Sequence, residues 1–242
     1  MMSKIVAISD IHGHRNELQA LMGFLKAEVD FVTTPFVFLG DYVDGGPDVR
    51  NVIEDCMAYE KLHPHWVFLY GNHEDMMLDA LVFNSVTYHD YYQWYGQGGK
   101  ETARSYYPEG LTPYESALIK PADYIPLEHL DWIKSRPLSF ETDEFIFVHA
   151  GLLPHHTLEQ TPNQDKLWIR SQFYNSNYDW GKRVIFGHTY MEKPLVMYNK
   201  IGIDTMARSG GVLCAVILDS EHPERQEFIT SDERMTIAWE NL

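Results

Sequence analysis

Five short segments of the chain set a carboxylate, imidazole or carboxamide beside glycine. They are Ser9-Asp10-Ile11-His12-Gly13, Gly40-Asp41-Tyr42-Val43-Asp44-Gly45-Gly46, Gly71-Asn72-His73-Glu74, His149-Ala150-Gly151 and Gly187-His188-Thr189. Their side chains are oxygen and nitrogen donors of borderline hardness, suited to Mn²⁺, Fe, Zn²⁺ or Co²⁺ rather than to a thiolate-seeking ion. Each segment alone is a weak signal, since Asp-x-His arises by chance and Gly-Asp is commonly a turn. Five of them, each closing an apolar run, are hard to ascribe to turn chemistry. Asp10 and His12, two apart on extended chain, can face one ion. Asn72, His149 and His188 can supply a second, with Asp41 bridging. Such paired ions clamp the attacking and leaving oxygens of an in-line displacement.

The elements that must position these residues follow from the apolar pattern. Lys4–Ser9, Phe36–Gly40, Trp66–Tyr70, Phe145–Val148 and Val184–Phe186 read as buried strands. Leu18, Leu21, Met22 and Leu25 recur at helical spacing, as do Val49, Val52, Ile53 and Met57, then Met76, Met77, Ala80 and Leu81. This alternation predicts an α/β layered fold, whose strand ends converge on one crevice. At about 84–126 the rhythm breaks into a tyrosine-rich excursion around Gly96-Gln97-Gly98-Gly99, with a capping box at Thr112-Pro113-Tyr114-Glu115. It reads either as a packed excursion over the sheet edge or as a substrate-facing cap. The segment 195–230 is expected to form a second, partly antiparallel sheet packed on the first.

The 242 residues suffice for a single domain spanning 1–242. Thirty-five acidic side chains against 19 basic ones give a net charge of −16, which opposes binding to a nucleic-acid polymer or an anionic membrane. A phosphorylated substrate stays open, because bound metal inverts the local field. No apolar run approaches the ~20 residues of a membrane span. The start runs directly into a strand, so no signal peptide is expected. Cys56 and Cys214 are too few for a disulfide framework; a cytoplasmic location is expected.

Taken in order, the five segments resemble those of the calcineurin-like metallophosphoesterases, in particular the phosphoprotein phosphatase branch. That branch includes small bacterial and phage serine/threonine phosphatases and symmetrical diadenosine tetraphosphate hydrolases. Gly96–Thr102 is similar to a glycine-threonine stretch of the bacterial members, and Leu167-Trp168-Ile169-Arg170 to a segment bearing a phosphate-contacting arginine. The resemblance implies a four-layer α/β/β/α sandwich of two mixed sheets flanked by helices. It assigns Asp10, His12 and Asp41 to one metal, and Asp41, Asn72, His149 and His188 to the other. His73 would be the leaving-group acid, Asp44 its orienting partner and Arg170 a holder of phosphoryl oxygens. The two divalent ions are expected to be Mn²⁺ first, with Fe, Zn²⁺, Co²⁺ or Ni²⁺ accommodated by the same donors. One position departs from the pattern: Gly45 stands where the family usually has an arginine on phosphate. Arg50 is either its replacement or a solvated helical residue.

The resemblance implies a phosphoric monoester hydrolase in which a hydroxide between the ions attacks phosphorus. The first expectation is a serine/threonine or broad-specificity protein phosphatase. The alternative is a diadenosine polyphosphate or other small-phosphate hydrolase, and a third reading is a non-catalytic phospho-binding domain.

Overall fold

The computed structural model describes residues 4–81, 88–111, 120–232 and 234–235. Two mixed sheets stack face to face. In the first, the order is β11 (Arg234–Met235), β10 (Gln226–Thr230), β9 (Cys214–Asp219), β1 (Lys4–Ile8), β2 (Phe36–Phe38), β3 (Val67–Phe68). In the second it is β4 (Ser139–Glu141), β5 (Phe145–Val148), β6 (Arg183–Phe186), β8 (Lys200–Gly202), β7 (Leu195–Val196). β1, β2 and β3 run parallel, as do β5, β6 and β8, so each set delivers its carboxyl ends to one side.

Period-two alternation explains why apolar runs this short are buried throughout. Ile5 and Ala7 of β1 join Phe145 and Phe147 of β5 between the sheets, while Val6 and Ile8 turn to the helices. Ile146 and Val148 of β5 face outward onto Phe173 and Ile169, which lie in the chain covering the second sheet. The three apolar layers make the sandwich, with helices on both outer faces.

α1 (Arg15–Glu28) buries Leu18, Leu21, Met22 and Leu25, as its spacing predicts. α2 (Val49–Leu62) buries Val49, Val52 and Ile53, but its fourth buried position is Cys56, with Met57 only half-buried. α3 (Asn72–Leu81) begins at a site residue, so its first turn fixes Asn72, His73 and Glu74 as a rigid group. Of the excursion, α4 (Tyr88–Trp94), a kinked turn at Tyr95–Gly99 and α5 (Lys100–Tyr106) are described. The capping box at Thr112 lies outside the described residues. The segment 195–230 divides differently from expectation: β7 and β8 extend the second sheet, whereas β9 and β10 extend the first, antiparallel beside β1. The cause is the apolar run Cys214–Leu218 of β9, which only a central position can bury on both faces.

Candidate metal centre

The loops after β1, β2, β3, β5 and β6 meet in one place. The N–H groups of Ile11 and His12 both donate to the Asp41 carbonyl, at 3.0 and 2.8 Å, and Gly46 N–H donates to the His12 carbonyl at 2.7 Å. His12 (φ 49°), Asp41 (φ 53°), Asp44 (φ 68°) and His188 (φ 60°) all adopt left-handed backbone. Each costs about 1–3 kcal/mol and persists only where the surroundings impose it. Four such residues, all singled out by sequence, mark a place where side-chain direction overrides backbone preference. Glycine is required at 187, where a Cβ would fall 2.1 Å from Asp10 Oδ2.

Asp10, His12, Asp41, Asn72, His149 and His188 converge there, none more than 3% exposed. Two donor triads stand out, His12–Asp41–His73 and Asp41–His149–His188, each with its ligand atoms within 4.8 Å of one another. Asp41 belongs to both. Asn72 Oδ1 lies 2.8 Å from both His149 Nε2 and His188 Nδ1. Asp10 borders the group, its Oδ1 accepting His188 N–H at 3.0 Å and its Oδ2 the Ser9 hydroxyl at 2.6 Å. His73 thus falls inside the first triad's radius, where the resemblance puts Asp10.

The donor chemistry fits cations. His12 Nδ1 donates to the Val43 carbonyl at 2.9 Å, and His149 Nδ1 to the Leu39 carbonyl at 2.8 Å. With the proton committed to Nδ1, each ring turns the bare Nε2 lone pair inward. There it meets carboxylate oxygen: Asp41 Oδ2 lies 3.4 Å from His12 Nε2, and Oδ1 lies 3.5 Å from His149 Nε2. Burial, then Glu74 and Asp10, push Asp41 well above the usual carboxylate range. Burial likewise holds His149 below the ordinary histidine value and His188 down at about 2. Neutral imidazoles around crowded carboxylates are the state in which divalent ions bind.

His73, a member of the first triad, donates from Nδ1 to Asp44 Oδ2 at 2.8 Å. Asp44 is wholly buried; its Oδ1 accepts Trp94 Nε1–H at 3.0 Å and the Thr102 hydroxyl at 2.7 Å. Burial pushes Asp44 up to about 8, against the pull of Thr102 and Trp94. Both donors come from the tyrosine-rich excursion. Its described part buries Trp94, Thr102 and Tyr106 and orients a site carboxylate, while Tyr92 stays exposed.

Glu74 has a role that its segment alone did not assign. Fully buried, it accepts N–H from Asp41 (2.8 Å), Tyr42 (2.8 Å), Val43 (3.2 Å) and Gly71 (2.9 Å), holding the loop that bends through Asp41. Its type in a glycine-flanked segment was the available signal.

Arg170 sits exposed at the rim, its guanidinium 5.5 Å from the Tyr190 ring centroid, and its charge acts on His73, His149 and His188. Arg50 does not reach the site; it pairs with Glu54 at 2.9 Å on exposed helix surface. The residue beside Gly45 is instead Arg208, which no spacing had flagged. Its Nη1 donates to His73 Nε2 at 3.1 Å and its Nη2 to the Gln97 carbonyl. Asp204, buried nearby, accepts Met206 N–H at 3.1 Å and so braces the turn carrying Arg208. His14 stays at the start of α1, 3.7 Å from Glu17.

The model of the calcineurin-like phosphoesterase family matches residues 3–200, and the chain belongs to that family. Fold, paired triads and family together define a dinuclear metal-dependent phosphoesterase. Among relatives, the asymmetrical bis(5'-nucleosyl)-tetraphosphatase PrpE of Oceanobacillus iheyensis is 24% identical over 263 residues, covering 99% of this chain and 96% of its own. The symmetrical bis(5'-nucleosyl)-tetraphosphatase of Nitrosomonas europaea is 30% identical over 157 residues, covering 64% of this chain and 47% of its own. The solved cold-active protein-tyrosine phosphatase of a psychrophilic Shewanella has a TM-score of 0.66 at 16% identity, covering 98% of this chain and 80% of its own. That last likeness is one of fold.

Proposed function

We propose that the protein hydrolyses a small phosphate compound, a dinucleoside tetraphosphate first among them, and holds two divalent ions, Mn²⁺ first. The carrying observation is the pair of triads sharing Asp41, one of which includes His73 with Asp44 on its Nδ1. Asp10, His12 and Asp41 would hold one ion, and Asp41, Asn72, His149 and His188 the other. When bound, the ions supply Lewis acidity and an activated water for attack on phosphorus.

The chain's own groups do the rest. Asp44 fixes the His73 ring through Nδ1 and leaves Nε2 toward the leaving-group oxygen. Arg170 offers a fork of donors to equatorial phosphoryl oxygens, where charge develops. Burial, then Arg208, His149 and Arg170 hold His73 well below its ordinary value, so the ring is neutral before substrate arrives. To serve as the leaving-group acid, Nε2 must therefore first take up a proton, and a leaving group stable as an anion, as a nucleotide phosphate is, needs that proton less than a serine alkoxide does. The two sequence relatives are named for dinucleoside tetraphosphates, which supports the same choice over a phosphoprotein.

The test is turnover of diadenosine tetraphosphate, a phosphoserine peptide and an aryl phosphate by the Mn²⁺-loaded protein. The expected kcat/KM for the dinucleotide exceeds that for the peptide by about tenfold or more, a difference in transition-state binding. ADP as sole product marks symmetrical cleavage; ATP with AMP marks asymmetrical cleavage. A peptide preferred over the dinucleotide returns the protein-phosphatase reading.

A further inference from the structure

We propose that Arg208 is the second phosphate-binding cation of this site, admitted through a gap that Gly45 and Gly98 leave for it. The inference rests on the phosphoester reading above and adds a residue to it. The family match ends at residue 200, before this residue.

The gap is visible in the packing. A Cβ on Gly45 would stand 2.8 Å from Arg208 Cγ and 2.9 Å from Nε. One on Gly98 would stand 3.0 Å from Arg208 Nη2 and 2.6 Å from Gly45 N. Both glycines are left-handed, at φ 91° and 102°, and Gly45 N–H donates to the Gly98 carbonyl at 3.2 Å. Two loops from different parts of the chain therefore close around one guanidinium. An arginine at position 45 would collide with it.

Arg208 is aimed from a braced turn. The short 3₁₀ turn Ala207–Ser209 lies between left-handed Met206 and Gly210, and Thr205 Oγ1 donates to the Val212 carbonyl at 2.7 Å across its base. From there the side chain reaches His73 Nε2, the atom that must face the leaving group. A neutral imidazole and a peptide carbonyl are modest acceptors. A phosphate oxygen forms a shorter, charge-assisted bond with the same fork, and would draw Nη1 off the ring while Nη2 keeps the Gln97 carbonyl. Tyr190 adjoins both cations: Arg170 approaches its ring and the Arg208 charge acts on its phenol. Arg170 and Arg208 thus share Tyr190 as a neighbour, and both charges act on His73.

The experiment measures inorganic phosphate binding to the Mn²⁺-loaded protein by calorimetry, alongside kcat and KM on an aryl phosphate. Metal content and thermal unfolding serve as controls. Arg208→Ala is expected to weaken phosphate by about ten- to a hundredfold and to raise KM, with both ions retained. Arg208→Lys should recover part of the loss, because an ammonium lacks the planar fork; it also stands in if the alanine variant does not fold. Gly45→Ala should weaken phosphate in the wild-type background and add little to Arg208→Ala, as coupled neighbours do. Phosphate affinity unchanged in both Arg208 variants overturns the proposal. An equal effect of Gly45→Ala in both backgrounds overturns the gap. Wild-type protein that neither binds phosphate nor turns over any ester defeats the phosphoester reading instead.

Discussion

At the scale of single residues, the centre works by denying its side chains any other partner. His12 and His149 each give up one ring proton to a backbone carbonyl, which leaves one nitrogen bare, and Asp44 has every oxygen spoken for. His73 is the exception, since its Nε2 meets only a movable guanidinium. His73→Asn is therefore expected to slow hydrolysis of a serine phosphate by about 10²–10⁴-fold, the worth of a general acid, and an aryl phosphate far less. Steady-state rates on the two esters check this; equal losses would remove the acid role. The donors were legible in sequence because each closes an apolar run beside glycine. Arg208 was not, because it sits in a Met-Ala-Arg-Ser-Gly-Gly stretch whose relation to Gly45 exists only after folding.

At the scale of elements, the parallel strands aim the loops and the first turn of α3 locks three site residues together; the apolar pattern foretold the strands and a helix here, but not that the helix begins at Asn72. The excursion was harder to read. Its tyrosines drew attention, but Trp94 and Thr102 are the residues that reach the site, and both are buried. Aromatic density signals packing without saying against what. Thr102→Val keeps the shape and removes a donor to Asp44 as well as the acceptor of Asp44 N–H at 2.9 Å. An unmade buried bond costs about 1–3 kcal/mol. The variant should fold with lower stability and retain both ions, while kcat falls more for a serine phosphate than for an aryl phosphate. Chemical denaturation, metal analysis and rates on the two esters separate these effects. A uniform loss across esters would show that the excursion acts by packing alone.

At the scale of the molecule, the donors come from both sheets: Asp10, His12, Asp41 and Asn72 follow strands of the first, His149 and His188 strands of the second. Ions held by both sets would fasten the sheets together, so loading should stabilise the whole fold. Mn²⁺ at a thousand times its dissociation constant is worth about 4 kcal/mol, or a rise in Tm of roughly 10 °C for a chain of this size. Calorimetric scans with metal and with chelator measure it, and Asp41→Asn should cancel most of the gain. A chelator-insensitive Tm would mean that the ions bind without bracing the fold. Among the described residues, no helix is long and apolar enough to cross a membrane. The tail's division between two sheets was not legible, because alternation reveals strands but not their partners.

The pairing of β1 with β9, Ile8 opposite Ala215, has a consequence for how the protein is made. A ribosome adding 5–20 residues per second releases the first strand roughly ten seconds or more before its antiparallel neighbour exists. Throughout that interval the nascent chain carries Asp10 and His12 beside an open hydrogen-bonding edge. Capture of ions in their final arrangement must wait until His188 has been made, and until β9 follows the edge is open to foreign strands.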